Sequence, residues 1–290
     1  MKAALVGDHI GPSLTPAQHE LEGAALGLDY RYGRIDTGGR KLSRADLAQI
    51  LSDAEADGLV GLNVTHPHKS TVVELLHRLE GPANELLTAN TVVLQAGERI
   101  GFNTDYGGFR RAIQSEIASI AGNTVVLCGA GGAGASVALA LADLGVDTLF
   151  IIDPVLERAK GLKTRLNMLR PWLQTLAAES IDGVPFDQVS GAVNCTPLGM
   201  ASHPGMAFDP WLLSRATWVA DIVYFPRKTA FLKLAEAHGC RVMDGTKMAL
   251  WQAVEAFRLL TGHEPDVDRM KATLEGLLQQ DRNENKETAA

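Results

Sequence analysis

Residues 124–136, Thr-Val-Val-Leu-Cys-Gly-Ala-Gly-Gly-Ala-Gly-Ala-Ser, constrain the fold more than any other stretch of this chain. A short apolar run ends in Gly129-x-Gly131-x-x-Gly134, and an alanine- and leucine-rich helical pattern follows to about Leu144. A buried strand that feeds a tight glycine turn and then opens a helix presents bare backbone N–H groups and a positive helix end to a pyrophosphate. One glycine makes the sharp turn, one lets phosphate approach the backbone, and one lets the helix close on its strand. The pattern continues into Asp147-Thr-Leu-Phe-Ile-Ile-Asp153, a second strand that ends in a carboxylate.

That carboxylate selects the cofactor. Asp153 lies about 20 residues beyond the glycine turn, where an acid accepts hydrogen bonds from the adenosine ribose hydroxyls. It repels the extra phosphate of NADP, so the expected cofactor is NAD. An NADP site would show a small residue followed by Arg at the strand end; here Pro154 follows, and the first nearby arginine is Arg158. Asp153 can also cap the next helix, and the two roles are compatible.

The chain has 290 residues, long enough for two domains of ordinary size. Its formal charge of -7 and pI near 5.6 make no electrostatic case for nucleic acid. No apolar stretch reaches the ~18 residues of a membrane span, and the N-terminus reads as a strand rather than a signal peptide. Three cysteines, Cys128, Cys195 and Cys240, form no close pair in sequence, which points to a reducing, cytoplasmic setting. Cys128 and Cys195 read as small hydrophobes at strand ends.

Before the glycine turn, strands are expected at Lys2 to Gly7, Tyr30 to Ile35 and Val60 to Val64, with helices at Thr15 to Leu26, Arg44 to Asp57 and Lys69 to Leu79. Thr91 to Gln95 and Arg99 to Phe102 form a hairpin pattern around Ala96-Gly97. A helix from Tyr106 to about Ala118 leads into the glycine-turn unit. Further strands are read at Gly191–Val193, Trp218–Val223 and Arg241–Met243, then an amphipathic helix from Lys247 to Leu260. The polar end from Gln279 is expected to fray. The fold class is therefore α/β with two lobes: an N-terminal α/β domain and a Rossmann-type doubly wound dinucleotide-binding domain.

Three polar clusters fall at strand ends of the N-terminal lobe: Asn63-Val-Thr65-His-Pro67-His-Lys69, Ala89-Asn90-Thr91 and Asn103-Thr-Asp105. Singly, each fits turn or capping chemistry. Together they suit one small, many-hydroxylated ligand. His66-Pro67-His68 has no third ligand at a useful spacing, so no metal is expected. His9 and His19 read as surface or loop histidines.

These clusters, with Asn103-Thr-Asp-x-x-Gly108-Phe109, Gly129-Ala-Gly-Gly-Ala133, Asn194-Cys-Thr-Pro-Leu-Gly-Met200, Asp221-Ile-Val-Tyr224-x-Pro226-x-x-Thr229 and Gly245-x-x-Met248-x-x-x-Gln252, resemble the shikimate/quinate dehydrogenase family. Order and spacing match from about residue 5 to residue 275. The resemblance implies a substrate-binding domain over 1–105, completed by C-terminal helices over 246–280, an NAD-binding domain over 106–245, and a disordered tail over 281–290.

It also implies roles. Lys69 and Asp105 match the catalytic pair beside the reacting 3-hydroxyl, Lys69 moving the proton and Asp105 orienting it and the substrate. Asn63, Thr65, Asn90 and Gln252 match positions that hold the ring hydroxyls. Ser13 and Thr15 match the serine pair that binds the substrate carboxylate, and Tyr224 adds a donor there. Many shikimate-specific relatives carry Ser where this chain has Thr15, and the threonine form resembles the NAD-linked subgroup that also takes quinate. On the cofactor side, Gly129, Gly131, Gly132 and Ala133 meet the pyrophosphate, Asp153 the ribose, and Arg158 the adenine or a ribose. Thr196, Pro197 and Leu198 line the nicotinamide side, with Val223, Gly245 and Met248 over the ring. Met248 fits equally a core position on its helix.

The expected activity is reversible hydride transfer between C3 of quinate or shikimate and NAD, by a monomer or homodimer. An enzyme restricted to shikimate or acting on an amino analogue is the nearest alternative. A non-catalytic NAD or quinate sensor is a more distant one, since Lys69 and Asp105 are both intact.

Overall fold

The computed structural model describes residues 1–40, 42–117 and 119–288, without the side chains of residues 281–288. It divides into two compact units, one of Met1–Thr104 with the chain from Gln252 onward, the other of Asp105–Trp251.

The first unit contains β1 (Lys2–Gly7), α1 (Thr15–Ala25), β2 (Arg31–Asp36), α2 (Arg44–Ala56), β3 (Gly61–Val64), β4 (Arg78–Leu79), α3 (Pro82–Leu86), β5 (Thr91–Gln95) and β6 (Glu98–Phe102). Its six-stranded sheet has the order β2-β1-β3-β5-β6-β4. Helical crossovers make β1 parallel to β2 and β3, whereas the two-residue turn makes β5 and β6 antiparallel. Ala96 and Gly97 have φ of 51° and 79°, the paired left-handed conformation that matches the strand twist in a tight hairpin. Ser43 starts α2 with a reciprocal capping box to Asp46. The core gathers Ala4, Val6, Leu47, Leu51, Leu62, Val64 and Val92 from β1, α2, β3 and β5.

Two expectations change here. His19 is not a loop or surface residue: it lies on α1, fully buried (0% exposed), against the rings of Tyr30, Tyr32 and Phe257. The helix expected over Lys69–Leu79 reduces to one 3-10 turn at Val72–Leu75, followed by β4. Thr71, Val72 and Val73 are consecutive β-branched residues, which lose side-chain freedom in a helix. Leu76 then turns extended (φ -96°, ψ 149°) and His77 N–H donates to Arg99 O at 2.9 Å, so the segment joins the sheet beside β6.

The second unit contains α4 (Thr104–Glu116), β7 (Thr124–Cys128), α5 (Gly132–Asp143), β8 (Thr148–Ile152), α6 (Leu156–Leu169), β9 (Gln174–Ala178), β10 (Gly191–Asn194), β11 (Trp218–Asp221), α7 (Ala230–His238) and β12 (Arg241–Met243). All six strands are parallel, in the order β12-β11-β10-β7-β8-β9. Strand order reverses between β7 and β10, the position where doubly wound sheets bind nucleotides at their carboxyl ends.

The helix α8 (Gly245–Thr261) crosses the unit boundary, and α9 (Val267–Thr288) follows. Its first turns belong with α4, because the Arg111 guanidinium stacks 5.3 Å over the Trp251 ring and Lys247 pairs with Glu116 at 3.4 Å. The boundary thus falls at Trp251 rather than at residue 245. α9 is tied to α1 by Arg269, which donates to the Glu22 carboxylate at 2.6 and 2.7 Å, and by Gln18 Nε2 on Met270 O at 3.1 Å. The backbone expected to be disordered from 281 continues this helix to Thr288. Residues 277–288 hold no Gly or Pro and are rich in Leu, Gln, Glu, Lys and Arg, all good helix formers. Residues 289 and 290, the end of that expected tail, lie outside the described residues.

Candidate active site

In the first unit the polar clusters meet at the carboxyl ends of β1 and β3 and the adjoining start of β5. Asn63 sits in β3, where alternation and full burial leave its amide no water, so it needs internal partners. Its Oδ1 accepts from Tyr32 Oη at 2.5 Å, and its Nδ2 donates to Asn90 O at 3.2 Å and Thr91 Oγ1 at 2.8 Å. Asn90 continues the network: its Oδ1 accepts the Thr104 N–H at 2.8 Å and its Nδ2 donates to Thr104 Oγ1 at 3.0 Å.

Thr65 and Lys69 leave β3 in a loop pinned at both ends. Thr65 N–H donates to Val6 O at 2.9 Å, and Lys69 O accepts from Ala89 N–H at 2.9 Å. Lys69 and Thr65 are half-buried. Asn90, next to Ala89, clamps Thr104, the residue before Asp105. All three clusters are therefore joined through backbone and amide bonds. Asp105 itself stands in the first turn of α4, 2% exposed, and is counted with the second unit.

Ser13 and Thr15 follow β1. Thr15 opens α1, with Pro16 next, and Leu14 supplies no side-chain cap. Ser13 Oγ accepts the Thr15 N–H at 3.4 Å, and Arg34 donates to Ser13 O at 2.8 Å. Two hydroxyls, first-turn N–H groups and the helix dipole favour a carboxylate at this end. Gln252 is half-buried on the part of α8 that belongs to this unit.

In the second unit the glycine turn has the geometry its sequence requires. Gly129 has φ of 100° and a side chain there would stand 2.8 Å from the Cys195 carbonyl; one at Gly134 would fall on the Gly129 carbonyl. A Cβ at Gly131 would meet nothing within 4 Å, leaving the open approach a phosphate needs. Gly131 caps α5, and Gly132 and Ala133 form its first turn. Asp153, 4% exposed after β8, accepts the Ala130 N–H on Oδ2 and the Val155 N–H on Oδ1, both at 2.9 Å. It thus joins the turn and the start of α6 at once, with carboxylate lone pairs left for ribose hydroxyls. Arg158 is exposed in the first turn of α6.

Thr196, Pro197 and Leu198 follow β10, and Val223 and Tyr224 follow β11. Burial pushes the Tyr224 phenol above its ordinary value, keeping it a donor at neutral pH. Gly245 opens α8 beneath the Ile222 and Val223 carbonyls, and Met248 is buried one turn on. Burial also raises the Cys195 thiol well above its usual range, first by desolvation and then by Asp221. Cys128, Cys195 and Cys240 are free thiols.

Tyr32, Thr104, Asn194, Asp221 and Thr229 hold this arrangement without having been assigned roles from sequence. A buried amide or carboxyl signals that partners exist, but Tyr32 lies 31 residues from Asn63, and nothing in a linear pattern pairs them.

Residues 5–92 match the family described as the shikimate dehydrogenase substrate binding domain, and residues 245–275 match the shikimate 5'-dehydrogenase C-terminal domain. The quinate/shikimate dehydrogenase (NAD(+)) of Corynebacterium efficiens is 43% identical over 277 residues, covering 93% of this chain and 95% of its own. The shikimate dehydrogenase (NADP(+)) of Pseudarthrobacter chlorophenolicus is 42% identical over 270 residues, covering 92% of each chain. Among solved structures, quinate dehydrogenase from Corynebacterium glutamicum in complex with NAD superposes with a TM-score of 0.88 at 43% identity, covering 95% of this chain and 99% of that one. Kinship of that extent, reaching both units, is decisive: the chain belongs to the shikimate dehydrogenase family.

Proposed function

We propose that the protein is an NAD-dependent dehydrogenase that oxidises the C3 hydroxyl of quinate or shikimate to 3-dehydroquinate or 3-dehydroshikimate, reversibly. The observation that carries the reading is the Asp153 carboxylate, bonded to Ala130 N–H of the glycine turn. Overall identity does not choose the cofactor, since NAD- and NADP-linked relatives stand at 43% and 42%. A buried anion beside the ribose does, because it accepts hydroxyl donors and repels a 2′-phosphate.

The first unit binds the substrate: Ser13 and Thr15 hold its carboxylate, and Asn63, Thr65, Asn90 and Gln252 hold its ring hydroxyls, with Tyr224, a residue of the second unit, as a further donor to the carboxylate. Thr15 keeps the hydroxyl of a serine while adding a methyl and restricting χ1, which supports acceptance of quinate as well as shikimate. Lys69 takes the proton from the 3-hydroxyl, and Asp105 orients Lys69 and the substrate. NAD, when bound through Gly129, Gly131, Gly132, Ala133, Asp153, Arg158, Thr196, Pro197, Leu198, Val223, Gly245 and Met248, supplies the hydride acceptor. Three free cysteines support a cytoplasmic place of work.

The test is NADH formation from quinate and shikimate with either cofactor. NAD is expected to be preferred by about tenfold or more, ~1.4 kcal/mol. Lys69→Ala is expected to bind NADH normally and to lose roughly a thousandfold in turnover. Preference for NADP overturns the cofactor assignment; near-normal turnover in the lysine variant removes Lys69 from the mechanism.

A further inference from the structure

The Asn194–Met200 and Asp221–Thr229 segments interlock through one buried carboxylate. Asp221 ends β11 and is 1% exposed. Its Oδ1 accepts from the Val223 N–H and from Asn194 Nδ2, both at 3.0 Å, and its Oδ2 accepts from Thr229 Oγ1 at 2.7 Å. Asn194 extends the bonding: its Oδ1 accepts from Thr196 N–H at 3.0 Å and Thr196 Oγ1 at 2.6 Å, while its Nδ2 also donates to Leu198 O at 3.0 Å. Leu198 N–H returns a bond to Thr196 Oγ1 at 3.1 Å. Thr229 is also the N-cap of α7, accepting the Leu232 N–H at 3.3 Å.

Packing repeats the same link. Gly199 has φ of 103°, and a Cβ there would stand 2.9 Å from Thr229 Cγ2. The strand end, the loop after β10 and the start of α7 therefore have one common fixed point.

A carboxylate suits this point because it is acceptor-only and three donors converge on it. It is also costly. Burial raises the Asp221 pKa to about 6 against the opposing bonds from Thr229, Val223 and Asn194. A buried ionisable group that packing alone would replace with an apolar side chain calls for a local use.

We propose that Asp221 is the positioning residue for the nicotinamide side of the cofactor site. It sets Thr196, Leu198 and Val223 in one geometry and does not itself touch cofactor. The inference rests on the reading of those three residues as cofactor-binding.

The experiment measures NADH affinity by fluorescence, melting temperature, and KM for NAD against KM for quinate, in Asp221→Ala, Asp221→Asn and Thr229→Val. Asp221→Ala removes all three acceptor bonds and is expected to weaken NADH binding by about tenfold or more. Its melting temperature should also fall, because three buried donors lose this acceptor, so affinity is compared at a temperature where every variant is folded. Asp221→Asn keeps both Oδ1 bonds, and the Thr229 hydroxyl can reverse to accept, so affinity should return to within about threefold of wild type. Thr229→Val loses the Oδ2 bond and the N-cap bond of α7 but keeps both Oδ1 bonds, so its NADH affinity should fall between them. KM for NAD should move and KM for quinate should not.

Asp221→Ala binding NADH within about twofold of wild type overturns the proposal. So does a loss of affinity that merely follows a loss of folded protein. If Asp221→Ala does not fold, Thr229→Val decides: unchanged NADH affinity there overturns it equally. A wild-type protein that binds no NADH removes the cofactor reading and this proposal together, whereas tight wild-type binding with unaffected variants removes the proposal alone.

Discussion

Asp153 accepts two backbone hydrogen bonds before any ligand arrives, one from the glycine turn and one from the start of α6. The side chain proposed to tell NAD from NADP thus also holds the glycine turn proposed to carry the pyrophosphate. Asp153→Ser removes the charge and shortens the side chain. Its kcat/KM with NAD should fall by about 10- to 100-fold, the worth of charged hydrogen bonds at ~1.5–3 kcal/mol. NADP should lose far less or gain, since the repulsion of its phosphate has gone. Steady-state comparison of both cofactors checks this, and an unchanged NAD-to-NADP ratio would contradict the role given to Asp153. At this scale the cofactor turn was legible because its signal is local: three glycines, one strand and one acid within 25 residues, Gly129 to Asp153. The buried supports inside each unit were not. Tyr32 and Asn63, or Asn194 and Asp221, are separated by 31 and 27 residues, and only folding shows which buried amide meets which donor.

Elements follow the same division. β1, β7 and the β5–β6 hairpin declare themselves by apolar runs that meet a glycine, and β3 by its apolar run before Thr65-His66-Pro67; each forms within a residue or so of its expected bounds. β4 and β9 are short edge strands whose formation depends on a neighbour, β6 or β8, rather than on their own pattern. The expected helix over Lys69–Leu79 fails for that reason too: its Leu76 and Leu79 satisfy a helical period, but the hydrogen bonds of 77–80 go to β6. α1 hides another tertiary effect, because its polar-looking face of Gln18, His19 and Glu22 is buried. Burial lowers the His19 pKa from 6.5 to about 3, with the Ala253 backbone opposing. The native ring stays neutral while the unfolded chain takes up a proton below pH 6.5, so stability is lost as pH falls from about 6.5 towards 3. Between pH 7 and pH 5 this loss is about 2 kcal/mol. Asp221 acts in the opposite direction: its raised pKa means the native state holds a proton through roughly pH 6 to 4 when the unfolded state does not, which adds stability as pH falls. His19→Leu should therefore flatten the acid side of the profile. Urea midpoints at pH 7 and pH 5 measure it, and a His19→Leu protein that loses as much stability as wild type between them would show that the buried neutral ring is not the source.

At the scale of the whole chain, two compact units with separate sheets carry separate halves of the proposed reaction, and each half can be read by its own ligand. A ligand that binds only the folded state slows hydrogen exchange of those amides whose opening destroys its site. At a concentration 100 times its Kd the factor is about 100, or ~2.7 kcal/mol. NADH alone should protect the amides at the carboxyl ends of β7, β8 and β10 and the first turn of α5, where the turn and Asp153 lie. Quinate or shikimate should protect the backbone amides of Asn63, Thr65, Asn90 and Thr91, which flank the side-chain network of the first sheet. The edge strand β4, separated from β5 by β6 in its sheet order, should change least. Asp153→Ser gives the control: protection by NADH at matched concentration should shrink while protection by quinate stays. Because the two ligands are read by different amides in one chain, uniform slowing of both sheets by NADH alone would mean that the division of labour is wrong, even if turnover were normal. Retained NADH protection with no effect of either acid would leave the dinucleotide unit intact and remove the substrate from the first.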